Sequence, residues 1–241
     1  MTQKKNDIDK KDEPGVQHAQ PAILPEPTLR RLPWYLAYLT TLRHEDVEHV
    51  SSTHIAAAVG VDASQIAKDL SFLNIRGKTR IGYEVAVLER TLRRFLGFAE
   101  RHNAVVVGAG SLGSALMADR GLHPYGLNIV AGFDVDPAVC GTEKCGVRVH
   151  HIDKLAKIAK RQDISIAAVT VPVECAQQVA ETIMDAGIRA IWNFTHCRIS
   201  VRPGFVVQNT SLYSHLAVMY NRLHMLAAET DCAKPMNGGG E

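Results

Sequence analysis

Three glycines and one acid carry the clearest chemical instruction in the chain: Gly108, Gly110 and Gly113 in the run Gly108, Ala109, Gly110, Ser111, Leu112, Gly113, and then Asp134. The G-x-G-x-x-G spacing is what a dinucleotide demands of a backbone. Gly108 permits a tight turn, Gly110 lets amides approach a pyrophosphate, and Gly113 lets the following helix pack closely. The phosphates would lie at that helix's N-terminus, where unpaired N–H groups point outward. Asp134 would accept hydrogen bonds from the adenosine ribose and repel a 2'-phosphate, which favours NAD(H) over NADP(H). Thr170, Val171 and Pro172 follow a later apolar run, at the strand end where an open parallel sheet holds its ligand. Asn193, Phe194 and Thr195 are candidates for the nicotinamide end, with Asn193 equally readable as a satisfied turn residue.

A second constellation suits a nucleic acid. Ser51 and Ser52 offer a cap to a short helix over residues 53–59, Gly60, Val61 and Asp62 make a turn, and residues 63–72 form a second helix carrying Ser64, Gln65, Lys68 and Ser71 outward. Ala56, Gly60 and Ile66 have the spacing of two closely crossing helices, the form of a helix-turn-helix. Caps and basic side chains would meet phosphates, and Gln65 or Lys68 would reach base edges. Residues 75–83 read as a short hairpin with Gly77 near its tip, concentrating Arg76, Lys78 and Arg80. From Ser64 to Arg80 those three and Lys68 stand against Asp69 alone, a local basic face of the kind a duplex requires.

The elements that position these residues follow from periodicity. Ala104–Val107 and Ile129–Phe133 are apolar strands flanking the glycine turn, and Ile164–Val171, Ala190–Phe194, Phe205–Val207 and a short Val147–Val149 extend the sheet. Helices are expected near Lys154–Lys160 and over Glu174–Ala186, the latter stopped by Gly187. Upstream, Leu32, Tyr35, Leu36, Leu39 and Leu42 recur at helical spacing behind a Thr28 cap, with Pro33 in an early turn. Val85, Leu88, Leu92, Phe95 and Leu96 mark the helix that joins the two domains. Leu212, Leu216, Met219, Leu223 and Leu226 form one apolar stripe on a last helix, suited to covering its own domain or to inserting between two subunits. The division expected is a disordered lead over 1–26, a winged-helix domain over 27–100, a Rossmann domain over 101–210, a dimerisation helix over 211–229 and a flexible tail over 230–241. The fold class is α/β.

Composition narrows the partners. With 27 basic against 25 acidic residues the formal charge is +2, so a nucleic-acid site must be local. No run approaches the roughly 20 apolar residues that span a bilayer, and the N-terminus is polar; a cytoplasmic protein without a membrane partner is expected. Five cysteines at irregular spacing read as free thiols in a reducing compartment rather than as a disulfide framework or a thiolate metal site. His150, His151 and Asp153 lack the spacing of a coordination set, so no metal is expected.

Taken together, Lys68 to Phe72, Gly82 with Tyr83, the Gly108 motif, Phe133 to Pro137, Thr170 to Pro172, Asn193 with Phe194, and Asn209 resemble, in that order, the Rex family of redox-sensing transcriptional repressors. The resemblance runs from about Glu26 through the terminal helix. It implies a winged helix followed by a Rossmann domain, a homodimer exchanging C-terminal helices, and operator DNA released when NADH accumulates relative to NAD+. Cofactor positions carried over by it are Gly108, Gly110, Gly113, Asp134, Thr170, Pro172 and Asn193. The chain departs from the family pattern at Ala67, where an arginine usually precedes the recognition-helix lysine, and in the wing, where Arg80 is displaced by one position. It departs again at Ala37 and Ser211, where an arginine and an aspartate are usual, and near Asp119, where a tyrosine is. An altered operator preference and a weaker or differently wired coupling between nicotinamide state and DNA affinity are therefore expected.

Two other functions fit part of the pattern. An NAD-dependent oxidoreductase needs the same dinucleotide fold but also a proton-transfer group, for which His196 is the nearest candidate, so no catalytic residue is assigned. A DNA-binding protein with a degenerate nucleotide pocket is the third.

Overall fold

The computed structural model describes residues 24–232; the expected disorder of residues 1–23 and of the tail beyond 232 lies outside the described residues. The chain divides after Leu96 into two compact units.

The first unit contains α1 (Glu26–His44), β1 (His49–Val50), α2 (Ser52–Val59), α3 (Ala63–Ser71), β2 (Tyr83–Glu84) and α4 (Val85–Phe95). Its core is formed by Leu32, Leu36 and Leu39 of α1, Ile55 of α2, Ile66 and Leu70 of α3, and Leu88 and Leu92 of α4, all fully buried. Each such side chain contributes about 2 kcal/mol as an upper value. Ser51 caps α2 by accepting the His54 N–H at 3.1 Å, and Gly60 ends it in the left-handed region, φ 67°. Antiparallel pairing of β1 with β2 places Val50 opposite Tyr83.

Four expectations about this unit need correction. Helix α1 starts at Glu26 after a Pro25 cap, and Leu24 is already buried, so order begins before residue 27. Thr28 is therefore inside the helix: its buried hydroxyl donates to Asp69 across the core instead of capping, and Pro33 lies in the helix interior. The hairpin tip is also not at Gly77. Lys78 and Gly82 exchange backbone hydrogen bonds at 2.8 Å, so residues 79–81 turn the corner with Arg80 at φ 68°. Gly77 instead lies against the Tyr83 ring, which a Cβ would meet at 3.2 Å.

Asp69 is the polar centre of the unit. Its carboxylate, 0% exposed, accepts hydrogen bonds from Arg31 (2.7 and 2.8 Å), Tyr35 (2.7 Å), Gln65 (2.9 Å) and Thr28 (3.0 Å). Burial alone would raise its pKa, but the bonds from Arg31, Tyr35, Gln65 and Thr28 outweigh burial and bring it down to about 2. Helix α3 is thus held to α1 by a bidentate ion pair as well as by Ile66 and Leu70.

The second unit contains β3 (His102–Val107), α5 (Ser111–Ala118), β4 (Leu127–Asp134), β5 (Glu143–Lys144), β6 (Val147–His151), α6 (Leu155–Gln162), β7 (Ile164–Val169), α7 (Ala176–Asp185), β8 (Ala190–Asn193), β9 (Val206–Asn209) and α8 (Leu212–Cys232). Seven strands form one sheet in the order β5-β6-β4-β3-β7-β8-β9, parallel except for the β5 edge. Alternation along β3 sends Val105 and Val107 into the larger core, shared with Leu155, Ile158 and Ile183, and Val106 into the smaller one beneath Met117 of α5. The strand order reverses between β3 and β7, which is where a doubly wound sheet opens a crevice. Strand β7 ends at Val169, so Thr170 and Val171 belong to the loop, and the edge strand β5 had no counterpart in the sequence reading. Along α8, Tyr213, Val218, Met219, Tyr220, Leu223, Met225 and Leu226 are about half exposed or more, wider than a single stripe.

Because the folded Asp69 pKa lies below the ordinary 3.8, its stabilisation is complete above about pH 4 and lost as pH falls toward 2. Amide exchange across 24–96 should show this loss, worth about 2 kcal/mol, and D69N should abolish that part of the pH dependence. Removing the carboxylate should also cost about 3–5 kcal/mol at neutral pH by stranding Arg31.

Candidate functional site

The cleft is built where β3, the glycine turn and the loop after β7 meet. Gly108, at φ 99°, is fastened by its own N–H to the Phe133 carbonyl at 2.8 Å, and its carbonyl accepts the Thr170 hydroxyl at 2.7 Å. Thr170 also donates its N–H to the Val107 carbonyl at 2.9 Å. A Cβ on Gly108 would stand 2.8 Å from the Thr170 backbone, and one on Gly113 would overlap the Gly108 carbonyl oxygen. Those two glycines are dictated by contact. Gly110 is different: nothing lies within 4 Å of its Cβ position, and it faces the cleft.

Asp134 closes β4 and reaches back to the turn. Its Oδ2 accepts the Ala109 N–H at 2.7 Å, while Oδ1 accepts those of Val135 (2.7 Å) and Asp136 (3.0 Å). Burial would raise its pKa; the three N–H donors and the Lys144 ammonium outweigh burial and hold it below the usual carboxylate range. It is ionised, with lone pairs left for further donors.

The cleft has a volume of about 530 Å³ and a largely apolar lining that includes Gly108, Gly110, Asp134, Thr170, Val171 and Pro172. A pocket of about 160 Å³ takes in Leu112, Thr170 to Val173, Phe194, Thr195 and His196. Ser111 is exposed at the start of α5, whereas Ala109 is buried behind the turn. Asn193 is also behind the wall. Fully buried, it donates to the Cys197 carbonyl (2.7 Å) and Asn209 (2.8 Å) and accepts from the Thr195 N–H (2.9 Å) and hydroxyl (2.7 Å). It closes β8 rather than lying in a turn, and its bonds to Thr195 set the loop that follows. Phe194 packs on Trp192 with ring centroids 4.6 Å apart. His196 stands edge-on to Tyr213 at 4.1 Å, tying the pocket wall to the first turn of α8.

Sequence reasoning missed Val135, Ile152, Cys175, Gln178, Val179 and Thr182 in the cleft lining. Val135 and Ile152 follow β4 and β6 as Thr170 follows β7, so the strand-end rule had enough to find them; Cys175, Gln178, Val179 and Thr182 belong to α7 and its entry turn and carry no motif.

On the first unit, Ser64, Lys68 and Ser71 are exposed along α3, as is Ala67. Gln65 is not free to point outward: it is half-buried and bonded to Asp69. Ser51 and Ser52 are half-buried, the Ser51 hydroxyl serving its cap, and the Ser71 hydroxyl donates to the Lys68 carbonyl at 2.7 Å. Arg76, Lys78 and Arg80 are exposed, and neither they nor Lys68 form an ion pair with any described residue. Four cations on α3 and the wing thus keep their charge available.

The positions that depart from the family pattern have local roles. Ala37 is exposed on α1, Asp119 caps the turn after α5 through the Gly121 N–H at 2.7 Å, and Ser211 caps α8 through the Ser214 N–H at 3.2 Å. Among the described residues no three histidine, cysteine or acidic side chains gather as a metal site, and no helix is long and apolar enough to cross a membrane. Cys140 donates to the Asp134 carbonyl, and burial with the neighbouring Asp134 and Asp136 pushes its thiol up, away from reactivity.

Residues 23–71 match the family model described as a putative DNA-binding protein N-terminus, and residues 99–197 match the one described as a CoA binding domain. A redox-sensing transcriptional repressor Rex of Bacteroides thetaiotaomicron is 52% identical over 209 residues, covering 87% of this chain and 95% of the relative. The crystal structure of RSP in complex with β-NAD+ and operator DNA is similar at a TM-score of 0.81 and 30% identity, over 89% of this chain and 99% of that one. RSP in complex with β-NADH aligns at 0.78 and 31%, over 87% and 99%.

A methyl group at Gly113 must push α5 off the turn. Gly113→Ala should lower the stability of the second unit by about 3 kcal/mol and open the cleft, read as a fall in its melting temperature and in its affinity in a dinucleotide titration. Thr170→Val, which keeps the shape and removes only the hydroxyl bond, should cost about 1 kcal/mol.

Proposed function

Since the chain belongs to the Rex family of redox-sensing transcriptional repressors, we propose that it is an NADH-responsive repressor that binds operator DNA as a homodimer and leaves it when NADH fills the cleft. The observation that carries this reading is the presence, in one chain, of a cleft of about 530 Å³ lined by the glycine turn and Asp134 at the β3/β7 reversal, and of four cations on α3 and the wing outside any ion pair among the described residues.

The residues fit the cofactor. Gly110 leaves room for a pyrophosphate at the start of α5, Asp134 is charged and has acceptor capacity for a ribose, and Thr170 to Pro172 with Leu112 and Phe194 form an apolar wall for the nicotinamide. Ala109 and Asn193 serve by shaping the loops. Binding without hydride transfer accords with relatives named as repressors, and His196, the candidate acid/base of an oxidoreductase, is packed on Tyr213.

On the DNA side, Ser64, Lys68 and Ser71 are the groups of α3 that meet the duplex, while Arg76, Lys78 and Arg80 follow its backbone. Ser51 acts through the α2 cap, Ser52 opens that helix at its N-terminus, and Gln65 acts by fixing α3. The exposed apolar surface of α8 is covered by a second copy of the chain, giving the two-fold symmetry that two half-sites require. A repressor of operator DNA works in the cytoplasm, and we extend the proposal to that location. Cofactor acts by preferring one arrangement of the dimer, so its effect on DNA is limited to its differential affinity. Uncharged Ala37 and Ser211 cannot make an ion pair, so the coupling here is weaker, or wired differently, than in family members that have one.

Electrophoretic titration of selected duplexes with NADH, with NAD+ and without cofactor is the decisive experiment. NADH should weaken binding by at least about 5-fold relative to NAD+, the low end of typical coupling; equal affinity in all three arms would defeat the reading. Lys68→Ala and Arg80→Ala should each reduce the slope of affinity against salt by about one unit.

A further inference from the structure

Lys144 stands on the two-residue edge strand β5, outside the glycine motif, yet its side chain runs inward to the turn. Its ammonium donates to the Ala109 carbonyl at 2.5 Å and to the Ser114 hydroxyl at 3.2 Å, and it acts on the charge of Asp134. Ala109 is therefore gripped from both sides, its N–H by the Asp134 carboxylate and its carbonyl by Lys144 and, at 3.2 Å, by the Ser114 hydroxyl that Lys144 also holds. In a trans peptide the carbonyl and the following N–H point in opposite directions. With the Ala109 carbonyl turned back toward Lys144, the Gly110 N–H is turned the other way, and Gly110 lines the cleft, with open space at its Cβ position, while Ala109 is buried. The ammonium also adds a full positive charge behind the first turn of α5, where the helix already favours an anion.

We infer that Lys144 is the positioning residue of the pyrophosphate site: it fixes the orientation of the Gly110 amide and supplies positive potential from behind the turn without touching the cofactor. This rests on the reading of the cleft as a dinucleotide site. Because the pyrophosphate is common to both redox forms, Lys144 sets affinity for the cofactor and leaves the preference between NAD+ and NADH unchanged.

The test is calorimetric titration of the full chain and of Lys144→Met with NADH, NAD+, ADP-ribose and adenosine at several salt concentrations. Lys144→Met should weaken the first three by the same factor of about ten, the worth of one charge-assisted contact. It should also flatten their salt dependence and leave adenosine, which has no phosphate, unaffected. Lys144→Arg should restore most of the loss, and Lys144→Thr, suited to an edge strand, should repeat it if the methionine variant folds poorly. Unchanged NADH affinity in both neutral variants, unequal losses of NADH and NAD+, or an equal loss of adenosine would each overturn the inference. Failure of the unmodified chain to bind NADH would instead overturn the reading of the cleft itself.

Discussion

The close approach of the Gly108 turn to the Thr170 backbone is the constraint on which the second unit depends. Two loops from adjacent parallel strands meet with no room for a Cβ on Gly108, and α5 begins so near that Gly113 can carry no side chain either. This crowding sets α5 close against the sheet, lets the Thr170 hydroxyl bind the Gly108 carbonyl, and leaves Gly110 facing space. The cleft is thus the open side of a packed junction. Its polar contacts, from Asp134 on one side and Lys144 on the other, hold a turn whose shape steric contact already dictates.

The first unit solves a different problem, that of holding a short amphipathic helix with little apolar area. Nine-residue α3 offers Ile66 and Leu70 to the core, and between them the buried Asp69 adds four donor residues from α1 and α3 itself. A carboxylate there is tolerable only because Arg31 is bidentate and the remaining lone pairs are satisfied. The arrangement converts a helix that is weak alone into one whose orientation is specified by directional bonds.

Much of this was legible in the residues. Long periodic stretches announced α1, α4 and the strands of the sheet, and the glycine spacing placed the turn, since steric demands are written in residue type. What escaped was information carried by distance across the fold. Asp69 read as a lone acid among bases because nothing local reveals that Thr28, Arg31 and Tyr35 lie opposite it. For the same reason Gln65 appeared to be an outward group, and Thr28 a cap. Strand β5 has only two residues and no periodicity, so Lys144 had no signal at all. Asn193 was legible only as one of two alternatives; in the structure it closes β8, buried, with four hydrogen bonds to neighbouring protein groups.

Anchoring α3 from its inner face separates two tasks along one helix. Positions 64, 67, 68 and 71 are exposed, so changes there alter what the helix presents while the buried Ile66, Asp69 and Leu70 go on holding it. Foldedness and outward identity reside in separate residues of the same short segment. Exchange of the alanine at 67 therefore changes the outward face of the helix and leaves the groups that seat it in place.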